Sequence, residues 1–236
     1  MHEGADDSVK RAREVQSGAT RAAVLGVSDG LVTNVSLILG VAGAQASGHF
    51  VQLAGLASLV AGAASMAAGE YVSMAAQVEL LQRLLGEFRA HLEAEPEHAR
   101  ADLEQFIRKG GVLPATAANA SKQISMVPDR ALAVYARSLG LDPEELGSPW
   151  RAAITSLVTF AAGALVPLVP WFFWTGTRAG AASLLLGAAA AVGVGATLGY
   201  LGGRNLAWSA GRQLLVLILA AGATWGAGHL FHVAVP

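Results

Sequence analysis

Residues 53–76 read LAGLASLVAGAASMAAGEYVSMAA and carry a single charged side chain, that of Glu70. A helix needs about 20 apolar residues to cross a bilayer whose hydrocarbon core is about 30 Å thick, so this stretch predicts a membrane-spanning helix. Four further stretches of the same kind lie at about residues 19–46, 152–174, 179–201 and 214–235. The sequence therefore predicts an all-α membrane protein with five transmembrane helices.

The composition supports this class and excludes others. Charged residues make up 14% of the 236 residues, against about 25% in soluble domains. The chain has no cysteine, which excludes disulfides, thiolate metal sites and cysteine nucleophiles. The net charge of −1 gives no basic patch, so we expect no nucleic-acid partner. The polar N-terminus lacks the apolar core of a secretory signal, so we expect no cleavage there.

The charged residues divide the chain into four parts. We expect an N-terminal segment at 1–18, two spans within 19–77, a helical domain at 78–150 and three spans within 151–236. In the third part, apolar residues at helical spacing predict a helix that continues out of the second span and breaks at Pro96. A second helix ends at Gly110 and Gly111, and two more are predicted at about 114–124 and 128–139.

The basic residues predict an orientation. If the N-terminus is cytoplasmic, one of the 16 basic residues, Arg178, falls outside. Arg204 and Arg212 then lie in a short inner loop after the fourth span, as the positive-inside rule requires. The N-terminus and residues 78–150 are therefore predicted to be cytoplasmic, and the C-terminus external.

Two other residue types mark the spans. Tryptophans near predicted span ends are expected at the membrane interfaces; they are Trp150, Trp171, Trp174 and Trp208. Glycines spaced four apart allow helices to approach closely; the pairs are Gly26/Gly30, Gly195/Gly199 and Gly222/Gly226.

The predicted spans contain two acidic residues, Asp29 in the first and Glu70 in the second. Met66 precedes Glu70 by one helical turn and shares its face. Carboxylates suit hard ions and thioethers suit softer ones, so a pathway lined by both favours iron(II) or manganese(II) over calcium. A buried carboxylate can also exchange a proton for a metal ion. The alternatives are that Asp29 only bonds a neighbouring helix and that Glu70 reaches cytoplasmic water.

Three segments carry a family resemblance: residues 21–32 (RAAVLGVSDGLV), 62–73 (GAASMAAGEYVS) and 146–153 (LGSPWRAA). They resemble the vacuolar iron transporter (VIT) family, in particular its bacterial members. The resemblance implies a homodimer in a bacterial inner membrane that exports iron(II) or manganese(II) in exchange for protons, along a path between the two copies of span one. Asp29 and Met66 match the pore-lining aspartate and methionine of this family, and Glu70 matches a glutamate of its bacterial branch.

The sequence also departs from the family pattern. Ala22 and Ser58 stand where plant members carry further pore acids. The positions matching the metal cluster of the insert hold Phe88, His91, Ala99, Asp102, Val134, Tyr135 and Ser138. Of these, His91 and Asp102 remain possible ligands. Nearby residues form either a shifted metal site or a solvated helix face; they are Glu87, Glu93, Glu95, Glu97 and His98.

Two functions therefore compete. The first is a proton-coupled metal exporter, with the ion as cargo and no resident cofactor. The second is a non-transporting membrane scaffold or metal-responsive regulator that kept the fold. An enzyme is not expected, because no cluster of spans combines a nucleophile, a histidine and an acid.

Overall fold

The computed structural model describes residues 18–140 and 148–230, with side chains from Ala22 onward in the first helix. Every regular element in these ranges is helical, in the following order. The helices are α1 (Gly18–Gly43), α2 (Gly48–Ala94), α3 (Pro96–Lys109), α4 (Pro114–Ser125), α5 (Pro128–Ser138), α6 (Pro149–Leu168), α7 (Gly176–Leu201) and α8 (Leu206–Leu230). A short 3-10 helix, Val169–Phe172, follows α6. Most of the predicted segment 1–18 and the end of the predicted fifth span lie outside the described residues.

Five of these helices are long and apolar enough to cross a membrane, namely α1, α2, α6 with its 3-10 extension, α7 and α8. The predicted fold class is confirmed. The chain divides into two compact units. The membrane unit runs up to Tyr71 and resumes at Pro149, and the insert unit is Val72–Ser148.

Helix α1 is the centre of the membrane unit and packs on α6, α8 and α7. Its contact with α6 is close because three glycines lie where the two helices meet. A methyl group on Gly30 would overlap the backbone carbonyl of Phe160, and one on Gly163 would overlap the carbonyl of Val27. A methyl group on Gly26 would lie 3.0 Å from the carbonyl oxygen of Ser156. The predicted role of the Gly26/Gly30 pair in close helix packing is confirmed.

The end of α6 is broken by prolines, and side chains of other helices bond its backbone. Pro167 has no N–H to donate to the preceding turn. Asn34 Nδ2 of α1, fully buried, donates to the carbonyl of Ala164 at 2.6 Å. Ser183 Oγ of α7 donates to the carbonyl of Pro167 at 2.6 Å. In a bilayer every such carbonyl needs an internal donor, so these bonds fix α6 against its neighbours.

One of the tryptophans is part of this network rather than of an interface. Trp171 is only 2% exposed, and its Nε1 donates to Ser183 Oγ at 2.9 Å. Its carbonyl accepts a hydrogen bond from Gln52 Nε2 of α2. The interfacial prediction for Trp171 is therefore wrong, because the 3-10 turn after Pro167 directs the indole inward. Trp150, Trp174 and Trp208 are exposed.

Helix α8 begins about two turns earlier than the hydropathy predicted. Asn205 Oδ1 accepts a hydrogen bond from the Trp208 N–H at 3.2 Å and so caps the helix at Leu206. Arg212 consequently lies on the exposed surface of the helix, and its predicted place in a loop is wrong. A helix can carry an arginine near its end because the long side chain reaches the polar interface.

The insert unit packs around an apolar core of its own. The core residues come from the last part of α2 and from α3 and α5; they are Phe88, Leu92, Ala99, Leu103 and Ala131. The rings of Phe88 and Tyr135 stack with centroids 4.0 Å apart. Helix α2 ends at Ala94, just before Pro96, where the sequence predicted the break.

Candidate functional site

Asp29 lies near the middle of α1 on a face that the described part of the chain leaves open. Leu25, Asp29 and Thr33, spaced one turn apart, are all exposed. Thr33 Oγ1 donates to Asp29 Oδ1 at 3.1 Å. The other faces of α1 are occupied by α6, α7 and α8. The described residues of one chain therefore leave a carboxylate at the middle of a spanning helix uncovered.

The polar character of α1 extends beyond Asp29. Gln213 Nε2 of α8 donates to Ser28 Oγ at 2.6 Å. Further along, Thr224 Oγ1 donates to the carbonyl of Ser36 at 2.7 Å. Sequence reasoning missed Gln213, although a glutamine at the start of an apolar stretch was a signal. These two bonds fix the rotation of α1, and with it the direction in which Asp29 points.

Met66 and Glu70 lie on α2, within the membrane unit. Met66 is half-buried and packs against the cluster of Ala63, Phe160 and Ala164. The ring of Phe160 contacts Gly62 of α2, while its backbone contacts Gly30 of α1. Phe160 of α6 thus links the helix of Asp29 to the helix of Met66.

Glu70 is half-buried near the end of the membrane unit. The neighbouring Tyr71 packs its ring on Trp150 of α6, with centroids 4.8 Å apart. Within the described part of the chain, no group of three or more acidic or histidine side chains lies close enough to hold a metal ion. The described residues of one chain therefore carry candidate ligands but form no complete metal site of that kind.

The candidate ligands of the insert are engaged in separate pairs, two with arginine and two between an acid and a histidine. The pairs are Arg83–Glu87 at 2.8 Å, Glu97–Arg100 at 2.6 Å, Glu95–His98 at 2.9 Å and His91–Asp102 at 3.6 Å. The hydrogen bond that Arg83 Nε donates to Glu87 Oε1 raises the pKa of Arg83. Glu93 is exposed beside Arg89 in a shallow cleft. The structure does not bring these acids together at one point.

Apolar packing occupies several of the insert positions that match the metal cluster of the family. Phe88 and Ala99 are core residues, and Val134 and Tyr135 pack against them. Ser138 Oγ donates to the carbonyl of Tyr135 at 2.6 Å. At these positions, where the resemblance places ligands in plant members, this chain carries side chains that form the core of the insert.

The fold and the exposed carboxylate define an integral membrane protein that carries the polar residues Asp29 and Thr33 on the exposed face of one spanning helix. The comparisons with known proteins agree with this class. The model of the VIT family matches residues 20–229. The chain belongs to the VIT family, and the resemblance seen in its sequence segments is confirmed.

Curated relatives cover nearly the whole chain. Vacuolar iron transporter homolog 2 of Oryza sativa subsp. japonica is 35% identical over 217 residues, which are 89% of this chain and 89% of that protein. Vacuolar iron transporter homolog 1 of the same plant is 33% identical over 217 residues, 89% of this chain and 73% of that protein. The vacuolar iron transporter of Acanthamoeba castellanii is 33% identical over 220 residues, 91% of this chain and 79% of that protein.

Proposed function

We propose that this protein is a transporter, not an enzyme, that exports iron(II) or manganese(II) from the cytosol in exchange for protons. It would act as a homodimer in a lipid bilayer, with the ion as cargo. The relatives named vacuolar iron transporters support metal transport. The choice of ion, the protons and the dimer rest on the chemistry of the candidate site and on the family resemblance.

The observation that carries the proposal is the open face of α1. A carboxylate exposed to lipid at mid-membrane costs several kcal/mol, so such groups normally face a polar cavity or a partner. A second copy related by a twofold axis would place the same face, Leu25, Asp29 and Thr33, against this one. Two carboxylates would then meet in a protected seam between the two α1 helices.

The ligand types at this seam suit a small dication. Two carboxylates would neutralise the charge of the ion, and Thr33 offers hydroxyl oxygens. Met66 lies on α2 and packs against Phe160, not on the open face of α1. In a pathway that also reaches α2, its thioether would favour iron(II) or manganese(II) over calcium. When the ion leaves, two adjacent carboxylates repel each other, and binding a proton relieves the repulsion. Metal and proton would therefore compete for the same oxygens, as exchange requires.

The distribution of arginines supports the proposed orientation. Arg151 at the start of α6, Arg204 between α7 and α8, and Arg212 near the start of α8 belong to one end of the antiparallel spans. Arg178 at the start of α7 belongs to the opposite end. The positive-inside rule assigns the arginine-rich end to the cytoplasm. The membrane we propose is a bacterial inner membrane.

Flux into proteoliposomes tests this function. Purified protein should move iron(II) and manganese(II), with zinc(II) as the comparison ion, and a pH gradient that drives protons in the direction opposite to the metal should accelerate the movement. The same vesicles without protein set the leak. Equal movement of all three ions, unaffected by the gradient, would contradict a proton-coupled carrier. It would leave the scaffold or regulator as the explanation.

The insert should contribute little to transport. We expect the double variant His91→Ala/Asp102→Ala to keep manganese(II) flux within about twofold of the wild type, because this partly exposed contact is weak and no third acid or histidine among the described residues completes a metal site there. The measurement is initial flux at matched protein density, with unfolding monitored in parallel. A tenfold loss of flux in a folded double variant would show that the insert delivers the ion.

A further inference from the structure

A groove of about 970 Å³ lies in the membrane unit, away from Asp29. Its walls are the last turns of α1, the first half of α7 and the second half of α8. Apolar side chains and small residues line it, including Leu39, Gly180, Leu184, Ile218 and Trp225. The buried Trp171 contributes to its wall.

The groove lies at the end where α7 and α8 leave space between them, while the two helices pack closely at their other ends. A methyl group on Gly195 would lie 2.7 Å from Cα of Ala210, so the two helices are in close contact there. Toward the groove, a methyl group on Gly180 or on Gly222 would find no atom within 4 Å. Both glycines line the groove, so protein atoms do not fill the space beside them at this end of α7 and α8.

The position of the groove indicates that hydrocarbon fills it. It runs along two helices long and apolar enough to cross a membrane. The apolar walls of the groove offer water few polar partners, so they favour hydrocarbon over water. Left empty, its lining would lose dispersion contacts. A lipid acyl chain is the apolar molecule that surrounds such a surface in a bilayer.

The polar groups stand at one end of the groove and carry no negative charge. Gln45 and Thr177 line the groove where α1 ends and α7 begins. Arg178 follows directly and is exposed. Among the described residues of the membrane unit, the acidic ones are Asp29 and Glu70, and neither lines this groove. Arg178 is not part of the lining, but it stands on the surface beside this end, so a negatively charged group there would meet Gln45 and Thr177 and lie next to a guanidinium.

We propose that the groove binds one phospholipid, with an acyl chain between α7 and α8 and the phosphate at Gln45, Thr177 and Arg178. The arrangement follows the polarity of the lipid, since the chain lies among apolar side chains and the phosphate meets a guanidinium. Because α1 forms one wall, the bound lipid would also support the helix that carries Asp29. The proposal rests on the groove alone and does not require transport.

Native mass spectrometry of the full-length protein tests this proposal with two probes that have identical chains. They are dioleoylphosphatidylglycerol and dioleoylglycerol, which lacks the phosphate. We expect one retained phosphatidylglycerol per chain and little retained dioleoylglycerol. Gly180→Leu and Gly222→Leu fill the groove and should lower retention about tenfold, because the added side chains would displace methylene groups of the acyl chain from apolar contact.

Matched controls lie on the same two helices. Gly193 of α7 and Gly211 of α8 also have open space around an added methyl group, but they do not line the groove. Gly193→Leu and Gly211→Leu should therefore keep the lipid. Arg178→Gln, a surface change that leaves the groove intact, should lower retention of phosphatidylglycerol to the level of dioleoylglycerol.

Three results would overturn the proposal. The first is equal retention in the groove-filling and control variants. The second is equal retention of the two probes by the wild type. The third is dissociation of an oligomer by Gly222→Leu with lipid retention unchanged, which would show that a second copy of the chain occupies the groove.

Discussion

The variant Asp29→Asn is expected to lose manganese(II) and iron(II) flux by about 100-fold, which corresponds to roughly 3 kcal/mol of lost stabilisation of the bound ion. Asparagine has nearly the same shape as aspartate, and its oxygen can still accept the hydrogen bond that Thr33 Oγ1 donates. The fold of α1 should therefore persist. The amide carries no charge and cannot exchange a proton, so both the binding of the dication and its coupling to protons should fail.

The control for this experiment is a carboxylate outside the spans. Asp129 is exposed at the start of α5, and its Oδ1 lies 3.3 Å from Arg89 Nη2. Asp129→Asn makes the same chemical change and should leave flux as it is in the wild type. Full flux through a folded Asp29→Asn variant would remove Asp29 from the pathway, and with it the proposed seam between two copies of α1.

A second variant separates the effect of the Asp29 charge from the effect of its hydrogen bond with Thr33. Thr33→Val removes the hydroxyl that bonds Asp29 Oδ1 but keeps the volume and the charge of the site. Its flux should lie between those of Asp29→Asn and the wild type, because the carboxylate remains able to bind the ion. The comparison assigns the larger effect to charge rather than to local packing.

The five spans were predictable because length and hydropathy alone define them. The break before Pro96 and the ends of the insert helices were also predictable, since proline and glycine limit helices by local geometry. The candidate site residues were predictable because acidic residues are rare in spanning helices, and a carboxylate such as Asp29 is easily recognised in an apolar stretch. These signals are local and need no knowledge of neighbouring helices.

What the sequence did not reveal depends on which helices meet. In a spanning helix, residues that face lipid and residues that face protein are both apolar, so periodicity does not separate them. The spacing of Gly26/Gly30 and of Gly222/Gly226 is identical, yet α6 packs on the first pair while the second has open space. Trp171 was misplaced for the same reason, because its burial depends on Ser183 of another helix.

The close contact of α1 with α6 predicts the largest effect on stability. Gly30→Leu should destabilise the membrane unit by about 3 kcal/mol or more, since overpacking a tight contact commonly costs about 1–3 kcal/mol and here the obstacle is backbone. The added side chain would overlap the carbonyl of Phe160, which cannot move away as the end of a flexible side chain could. The two helices would have to separate, and the Phe160 ring would withdraw from Gly62 of α2.

Melting of the purified protein and the fraction that elutes as a single species measure this effect. Gly193→Leu adds the same side chain to another spanning helix at a position with open space, and it should melt as the wild type does. Gly163→Leu should resemble Gly30→Leu, because it obstructs the same contact from the side of α6 by meeting the carbonyl of Val27. Since both changes separate the same pair of helices, the double variant should lose less than the sum of the two single losses. Equal melting of Gly30→Leu and Gly193→Leu would mean that α1 and α6 do not approach this closely, and the orientation of Asp29 inferred from that contact would fall with it.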